Sequence, residues 1–287
     1  METYGWVMSK LSDKQYWDSL YQRNRSASRP GGSEDFCQKR SIEELLRASP
    51  FRGYADYLLW ERIYPKFLSN KEGAKVVEIG SAPGNELVRL HKVFGLIPYG
   101  IEYSEAGVEL NRSVFVRHGL EPENIIHADF LAGEIEKRFE GYFDIVISNG
   151  FIEHFDNPKE VVGKHINLLK KGGHLIISIP NARGFNYAMQ YFLDNSVLRI
   201  HNIGIMEKVE FEKLFDDERL APRYCGYYGT LNFNLFMAKK RTIGWFVLMF
   251  SKIIQLPLNA LFRLLLGKHG AESKTFSPYL IFIGVRK

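Results

Sequence analysis

The stretch Val76-Val77-Glu78-Ile79-Gly80-Ser81-Ala82-Pro83-Gly84-Asn85 constrains this chain more than any other. Val76, Val77 and Ile79 read as a buried strand, Gly80 to Gly84 as a tight turn, and Asn85–Phe94 as a helix. A strand feeding a helix through small residues opens an α/β unit, and lets backbone approach a ligand closely. The helix start offers free N–H groups and the positive end of a dipole, which suit an anion such as a carboxylate. The spacing is not G-x-G-x-x-G, because Ala82 and Asn85 stand where glycines would be expected.

The alternation continues. Strands are expected at Lys75–Ile79, Tyr99–Glu102, Ile125–His127, Phe143–Ser148, His174–Ile179, Arg223–Tyr228 and Tyr279–Val285. Helices are expected at Glu105–His118, at Lys159–Leu169 behind Pro158, and over 206–219. Gly172-Gly173 is expected to stop the second of these. Strands separated by helices imply parallel pairing with right-handed crossovers, hence an open Rossmann-like α/β sheet with helices on both faces. Ligands in such sheets sit outside the carboxyl ends of the strands.

Upstream, Tyr54, Tyr57, Leu58, Trp60, Ile63, Tyr64 and Phe67 recur at helical spacing. Lys14–Tyr21 reads as a short helix and Ser26–Glu34 as a loop. The chain therefore divides into an N-terminal region over 1–50, a main domain over 51–229 and 275–287, and a hydrophobic helical insertion over 230–274. The formal charge of +5 is dispersed, so no nucleic-acid partner is expected. Cys37 and Cys225 give neither a disulfide framework nor a metal-ligand spacing, so no metal site is expected and a reducing, cytoplasmic setting fits. Glu2, Lys10, Asp13 and Lys14 leave no apolar run for a signal peptide.

Two acids stand at strand ends. Glu102 lies about twenty residues beyond the glycine turn, where a carboxylate can accept both hydroxyl protons of a ribose. Asp129 follows the third strand, where it can accept an adenine amino group. Asp144 begins Phe143–Phe155, a strand running into a polar, aromatic loop, and is expected to orient the strand start.

In that order, the glycine turn, Glu102, Asp129 and the fourth strand with its loop resemble the class I S-adenosylmethionine-dependent methyltransferase family. Leu168–Ser178 is similar to that family's passage from helix to fifth strand. The resemblance covers roughly residues 54–229 and the last strand. One departure is Ser81-Ala82-Pro83, where many members carry a Cys-Gly pair. The resemblance implies seven strands with the last antiparallel, and S-adenosylmethionine as cofactor. It places Glu78, Gly80, Ser81, Ala82, Gly84, Glu102, Tyr103, Asp129, Phe130, Asn149 and Gly150 against that cofactor. Tyr16, Trp17 and Tyr21 would fold over it as a lid.

Methyl transfer is an in-line displacement at a carbon already activated by the sulfonium, so positioning carries most of it and a base is needed only where the acceptor loses a proton. His154, just after the fourth strand, and His201, in the insertion after the fifth, are the candidate catalytic residues; Glu153 would orient a neighbour and His165 is structural. Tyr187, Tyr191 and Tyr227 are candidate acceptor contacts. The expected function is methyl transfer to a small-molecule or lipid- or glycan-linked acceptor, to oxygen ahead of nitrogen. Two alternatives stand beside it: a non-catalytic S-adenosylmethionine-binding, membrane-associated partner protein, and a nicotinamide-dependent oxidoreductase.

Residues 243–266 are almost wholly apolar except for Lys252, Gln255, Asn259 and Arg263, which form one stripe. Pro257 is expected to interrupt or kink the helix. Lys239, Lys240, Arg241 and Lys268 flank it. Two charges, the proline and the stripe argue against a membrane span. An interfacial helix on anionic lipid at the inner membrane surface, or a helix covering the acceptor pocket or a homodimer interface, both fit.

Overall fold

The computed structural model describes residues 10–12, 14–27 and 53–287. The expected loop beyond Ala27, Cys37 and the rest of the 1–50 region lie outside the described residues. Helix α1 (Lys14–Ala27) precedes a helical rod, α2, over 54–68. The rod is α-helical at Tyr54–Leu58, widens to a π turn at Leu59–Ile63 and is α-helical again at Tyr64–Leu68. Pro65 has no N–H and its ring crowds the carbonyl one turn back; the widened turn beside it absorbs that defect.

The remaining order is β1 (Lys75–Ile79), α3 (Asn85–Phe94), β2 (Ile97–Glu102), α4 (Glu105–Arg117), β3 (Ile125–His127), α5 (Glu134–Phe139), β4 (Phe143–Asn149), α6 (Pro158–Leu168), β5 (Leu169–Pro180), α7 (Gly184–Asp194), α8 (Lys208–Lys213), β6 (Leu220–Tyr228), α9 (Ile243–Leu266) and β7 (Tyr279–Arg286). Short 3-10 turns join several of them. The seven strands form one sheet in the order β3-β2-β1-β4-β5-β7-β6. β1 to β5 pair in parallel, and β7 runs antiparallel between β5 and β6. The strand order reverses between β1 and β4, which opens a crevice at their carboxyl ends.

Both faces of the sheet are covered. Val77, Ile79, Val146 and Ile177 belong to one apolar cluster, closed by Val161 and Ile166 of α6. Val76, Ile145, Ile147 and Ile176 belong to the other, closed by Leu87 and Leu90 of α3, Phe115 of α4 and Trp60 and Tyr64 of α2. Neighbours along one strand point to opposite faces, so near-continuous apolar runs are what a doubly covered parallel sheet requires.

Three details correct the sequence reading. Gly172-Gly173 does not stop α6, which ends at Leu168; the pair lies inside β5. Phe143 pairs with Leu169 but Ile145 with His174, so residues 170–173 bulge out of the ladder. Gly172 takes φ +77°, and a Cβ on Gly173 would lie 2.8 Å from the Lys170 carbonyl and 3.0 Å from that of Asp144. Over 206–219 the regular helix is shorter than expected, Lys208–Lys213. Pro257 is exposed and sits within an unbroken helical assignment from Ile243 to Leu266. As expected, Asp144 ties the sheet's lower end together: its carboxylate accepts from the Lys75 backbone N–H at 2.9 Å and from Lys170 Nζ at 2.8 Å.

Candidate cofactor cavity and acceptor cleft

Two cavities adjoin at the crevice. The first has a volume of about 290 Å³ and is lined by Gly80 and Ala82 after β1, Glu102 and Tyr103 after β2, Asp129 and Phe130 after β3, and Asn149 and Gly150 after β4. Ile79, Ile101, Ala128 and Phe151 supply apolar wall. The second, about 650 Å³, shares Gly80, Ala82, Asn149, Gly150 and His154 with the first and adds Glu78, Glu153 and His201.

Glu102 is the buried acid of the first cavity. Oε1 accepts from the Ser104 N–H at 2.9 Å and Oε2 from the Ala82 N–H at 3.3 Å. Burial raises its carboxyl above the usual range, and those backbone donors work against the rise. Two N–H groups hold the carboxylate still and leave lone pairs for a diol. Gly80 shows why the turn is small: its φ is +72°, and a Cβ there would stand 3.0 Å from the Phe151 ring. Asp129 accepts from the Leu131 N–H at 3.0 Å through Oδ1 and from Lys10 Nζ at 2.6 Å through Oδ2. Each carboxylate oxygen carries two lone pairs, so Asp129 can accept an amino group beside Lys10.

Ser81 and Gly84 line neither cavity. Ser81 Oγ accepts from Asn111 Nδ2 at 2.7 Å, away from the crevice. Gly84 caps α3 at φ +89°, and a Cβ there would fall 2.1 Å from Asn111 Oδ1. Both residues therefore hold the turn against α4. Glu78 lies in the adjoining cleft, where Oε1 accepts from Asn149 Nδ2 at 3.2 Å; burial, with Glu86 nearby, raises its carboxyl well above the usual range.

The N-terminal segment covers the first cavity. Lys10, Ser12, Trp17, Leu20 and Tyr21 line it, while Tyr16 packs edge-on against Trp17. The Leu11 N–H donates to the His154 carbonyl at 2.8 Å, and Ser104 Oγ donates to Asp18. These contacts tie the segment to β2 and to the loop after β4. Lys10 is a wall residue that the sequence offered no periodicity or motif to find.

His154 and His201 meet in the second cavity, their ring centroids 4.6 Å apart. His154 Nδ1 lies 2.8 Å from the Ile200 carbonyl and His201 Nδ1 2.7 Å from that of Val197. A carbonyl only accepts, so each Nδ1 carries the proton and each Nε2 keeps its lone pair. Burial lowers both imidazoles, His154 to about 4, so each is neutral near pH 7. Glu153 is fully buried beside them, and neither of its carboxylate oxygens has a hydrogen-bond partner. Burial pushes its carboxyl up to about 8. The sequence reading assigned no metal ligands, yet one ligating atom from each of Glu153, His154 and His201 lies within 4.8 Å of the others.

The three tyrosines expected at the acceptor lie elsewhere. Tyr187 and Tyr191 stack one helical turn apart on the exposed side of α7, whose inward side carries Asn186, Gln190 and Leu193. Tyr227 accepts from the Lys208 N–H at 3.2 Å and fastens β6 to α8. Alternation along β6 gives the cleft to its neighbour Tyr228, whose hydroxyl is 3.0 Å from Ser178 Oγ. His165 is buried inside α6, bonded at 2.7 Å to the Val161 carbonyl, as a structural histidine.

Residues 51–218 match the family described as a methyltransferase domain. The chain belongs to that family. Among curated proteins, this methyltransferase is similar to "EEF1A lysine methyltransferase 2" of Danio rerio, 28% identical over 183 residues that span 60% of this chain and 70% of that one. The Homo sapiens protein of the same name is 28% identical over 170 residues, spanning 58% and 64%. Among solved structures, a geranyl diphosphate methyltransferase in complex with SAM superposes with a TM-score of 0.54 at 18% identity, over 91% of this chain and 93% of that chain; at that identity the likeness is one of fold. The methyltransferase is a class I, S-adenosylmethionine-dependent enzyme, and the nicotinamide and non-catalytic alternatives fall away. The first cavity fits the cofactor: an anchored acid that would meet a ribose, a second acid that would meet an adenine amino group, and apolar walls between. When bound, S-adenosylmethionine supplies an activated methyl. Glu102 would hold it, Trp17 and Tyr21 would cover it, and the rim shared by the two cavities at Gly80, Asn149 and His154 would leave its methyl open to the second.

Proposed function

We propose that this methyltransferase acts at the cytoplasmic face of a membrane, on an oxygen of a small lipid or of a lipid- or glycan-linked acceptor. The orientation of α9 carries the reading. Its polar stripe faces the protein. Asn259 Oδ1 accepts from the Tyr54 N–H at 3.3 Å and from Gln255 Nε2 at 2.8 Å. Gln255 Oε1 accepts from the Phe233 N–H at 2.7 Å, and Arg263 lies over the Tyr57 ring. Buried polar side chains thus dock the helix, and its apolar side turns outward: Ile243 is 80% exposed, Phe250 65% and Leu264 81%. A helix of 24 residues with this character is long enough to cross a bilayer, but its docking along the protein and its basic flanks favour lying in the interface. Tyr187, Tyr191 and Phe192, exposed on the adjoining α7, suit the same boundary. The acceptor cleft is lined by Asn232, Asn234, Leu235 and Met237, from the segment that leads into α9, so it lies near that surface.

Oxygen is favoured over nitrogen by the neutral imidazoles at the rim, since a hydroxyl acceptor must lose a proton and His154 Nε2 has a lone pair to meet it. A second reading is supported by the relatives named as lysine methyltransferases: a protein lysine as acceptor, with α9 as its docking face. Flotation with anionic vesicles, followed by methyl-labelled cofactor and a membrane extract, separates them. Expected are vesicle binding and label in the lipid fraction. Label in protein lysines with no vesicle binding would overturn the lipid reading, and a stable homodimer by sizing would assign the apolar face to a second copy.

A further inference from the structure

We propose that Glu153, His154 and His201 bind one divalent transition-metal ion, and that this ion takes up the acceptor oxygen beside the methyl group. Three independent features converge. Glu153 has no exposed surface, and both its oxygens lack a partner. A buried acid whose oxygens lack partners is costly whether it keeps its proton or loses it, and a cation that displaces the proton satisfies it. Next, the two histidines are fixed as ligands are fixed: each ring is pinned through Nδ1–H to a backbone carbonyl, at 2.8 Å and 2.7 Å, leaving Nε2 to coordinate. Finally, the cleft is one-sided in charge. Among the described residues, Asp56, Glu78, Glu86 and Glu153 line it, with no lysine or arginine. Asp56 is engaged by Arg89, Glu86 by the Tyr64 hydroxyl and Glu78 by Asn149, which leaves Glu153 as the acid of the cleft whose oxygens have no hydrogen-bond partner.

Two imidazoles and a carboxylate suit zinc, iron(II), cobalt or manganese better than magnesium or calcium, which prefer oxygen alone. Ligand distances of about 2.0–2.2 Å require the three tips, now within 4.8 Å, to draw together on binding. Three protein ligands leave a coordination position open, and His154 lines both cavities, so that position can face the methyl group. The acceptor hydroxyl binds there and its proton passes to solvent, since a metal-bound oxygen is far more acidic. The oxygen lone pair forms the C–O bond as the C–S bond breaks. That pair stays on sulfur, the sulfonium becomes a thioether, and the metal keeps its oxidation state. This step rests on the oxygen-acceptor reading, with the ion held at His154 Nε2 taking the place of that imidazole as the means of removing the hydroxyl proton; metal binding by itself does not rest on it.

The test uses the full chain, stripped with a chelator and titrated calorimetrically with zinc, with cobalt as a spectroscopic probe. Expected are one ion per chain and visible cobalt bands of a nitrogen- and oxygen-ligated ion. Glu153→Gln and His201→Ala should each weaken zinc binding by about 100-fold or more while still binding S-adenosylmethionine and melting cooperatively without metal. Glu102→Ala should do the reverse, losing cofactor and keeping zinc, so failure of the metal proposal is distinct from failure of the cofactor assignment. Stripped wild-type protein that takes up neither zinc, cobalt nor manganese with cofactor present would overturn the proposal. So would uptake unchanged in both variants, or binding of methylammonium in place of the metals, which would make the cluster an amine site.

Discussion

Glu102 and Glu153 face adjoining cavities, and both are buried, yet their surroundings are opposite. Glu102 accepts from two backbone N–H groups, whereas neither oxygen of Glu153 has a partner. Burial raises both carboxyls; the backbone N–H groups around Glu102 work against the rise there, and at Glu153 only its own backbone N–H does. An anchored carboxylate is a finished receptor for neutral hydroxyls. An unanchored one keeps its proton near pH 7 until a cation displaces it. The Glu102 side of the crevice is therefore preformed by the chain, while the Glu153 side holds an acid with no hydrogen-bond partner.

The largest expected effect tests the anchored side. Glu102→Ala should weaken S-adenosylmethionine by about 100-fold or more, because it removes charge-assisted hydrogen bonds to the ribose; titration calorimetry measures it, and a change under threefold would break the assignment. Next comes the outward face. Phe250→Asp with Ile253→Asp should cut vesicle partitioning by about tenfold per residue, with cofactor affinity unchanged, because both side chains are exposed and distant from the cofactor cavity. Smaller still, Glu153→Gln in the metal-free protein should raise the melting temperature by about 2–6 °C, by relieving about 1–2 kcal/mol of unmet desolvation. A fall in melting temperature would show that the carboxylate is already satisfied.

Asp217 supplies the surface control and the smallest effect. It is paired with Arg219 at 2.7 Å, which holds its carboxyl down to about 2. A depressed acid stabilises the fold above its unfolded value of about 4 and loses that contribution as pH falls through about 2. Asp217→Asn should cost about 0.5 kcal/mol at neutral pH, with the gap from wild type closing between pH 4 and 2 in thermal melts. A gap that persists at the acid end would mean that the ion pair is not its source.

Much of the site was legible because the first cavity is built at strand ends. Gly80, Glu102, Asp129 and Asn149 each follow an apolar run by a fixed short distance, so the sheet sets their positions once the strands are recognised. Residues assigned by neighbourhood fared differently. Ser81 and Gly84 belong to the same turn but point to Asn111 on α4, and Tyr227 is displaced from the cleft by Tyr228 through strand alternation. On α7, Tyr187 and Tyr191 share a face, but the sequence does not say that Asn186 and Gln190 take the inward one.

By itself the sequence determined the strand-turn-helix alternation, the acids at the strand ends and the existence of a polar stripe on 243–266, because each is a local pattern whose period is set by backbone geometry. Tertiary structure alone decided which side of that helix faces outward, and brought His201 to Glu153 and His154. The reason is the same for both. Gln255 and Asn259 turn inward because the backbone of residues 54, 231 and 233 offers them hydrogen-bond partners, and His201 arrives because the Asn202 N–H binds the Glu153 carbonyl. Partners that far apart along the chain leave no period in a sequence to be read.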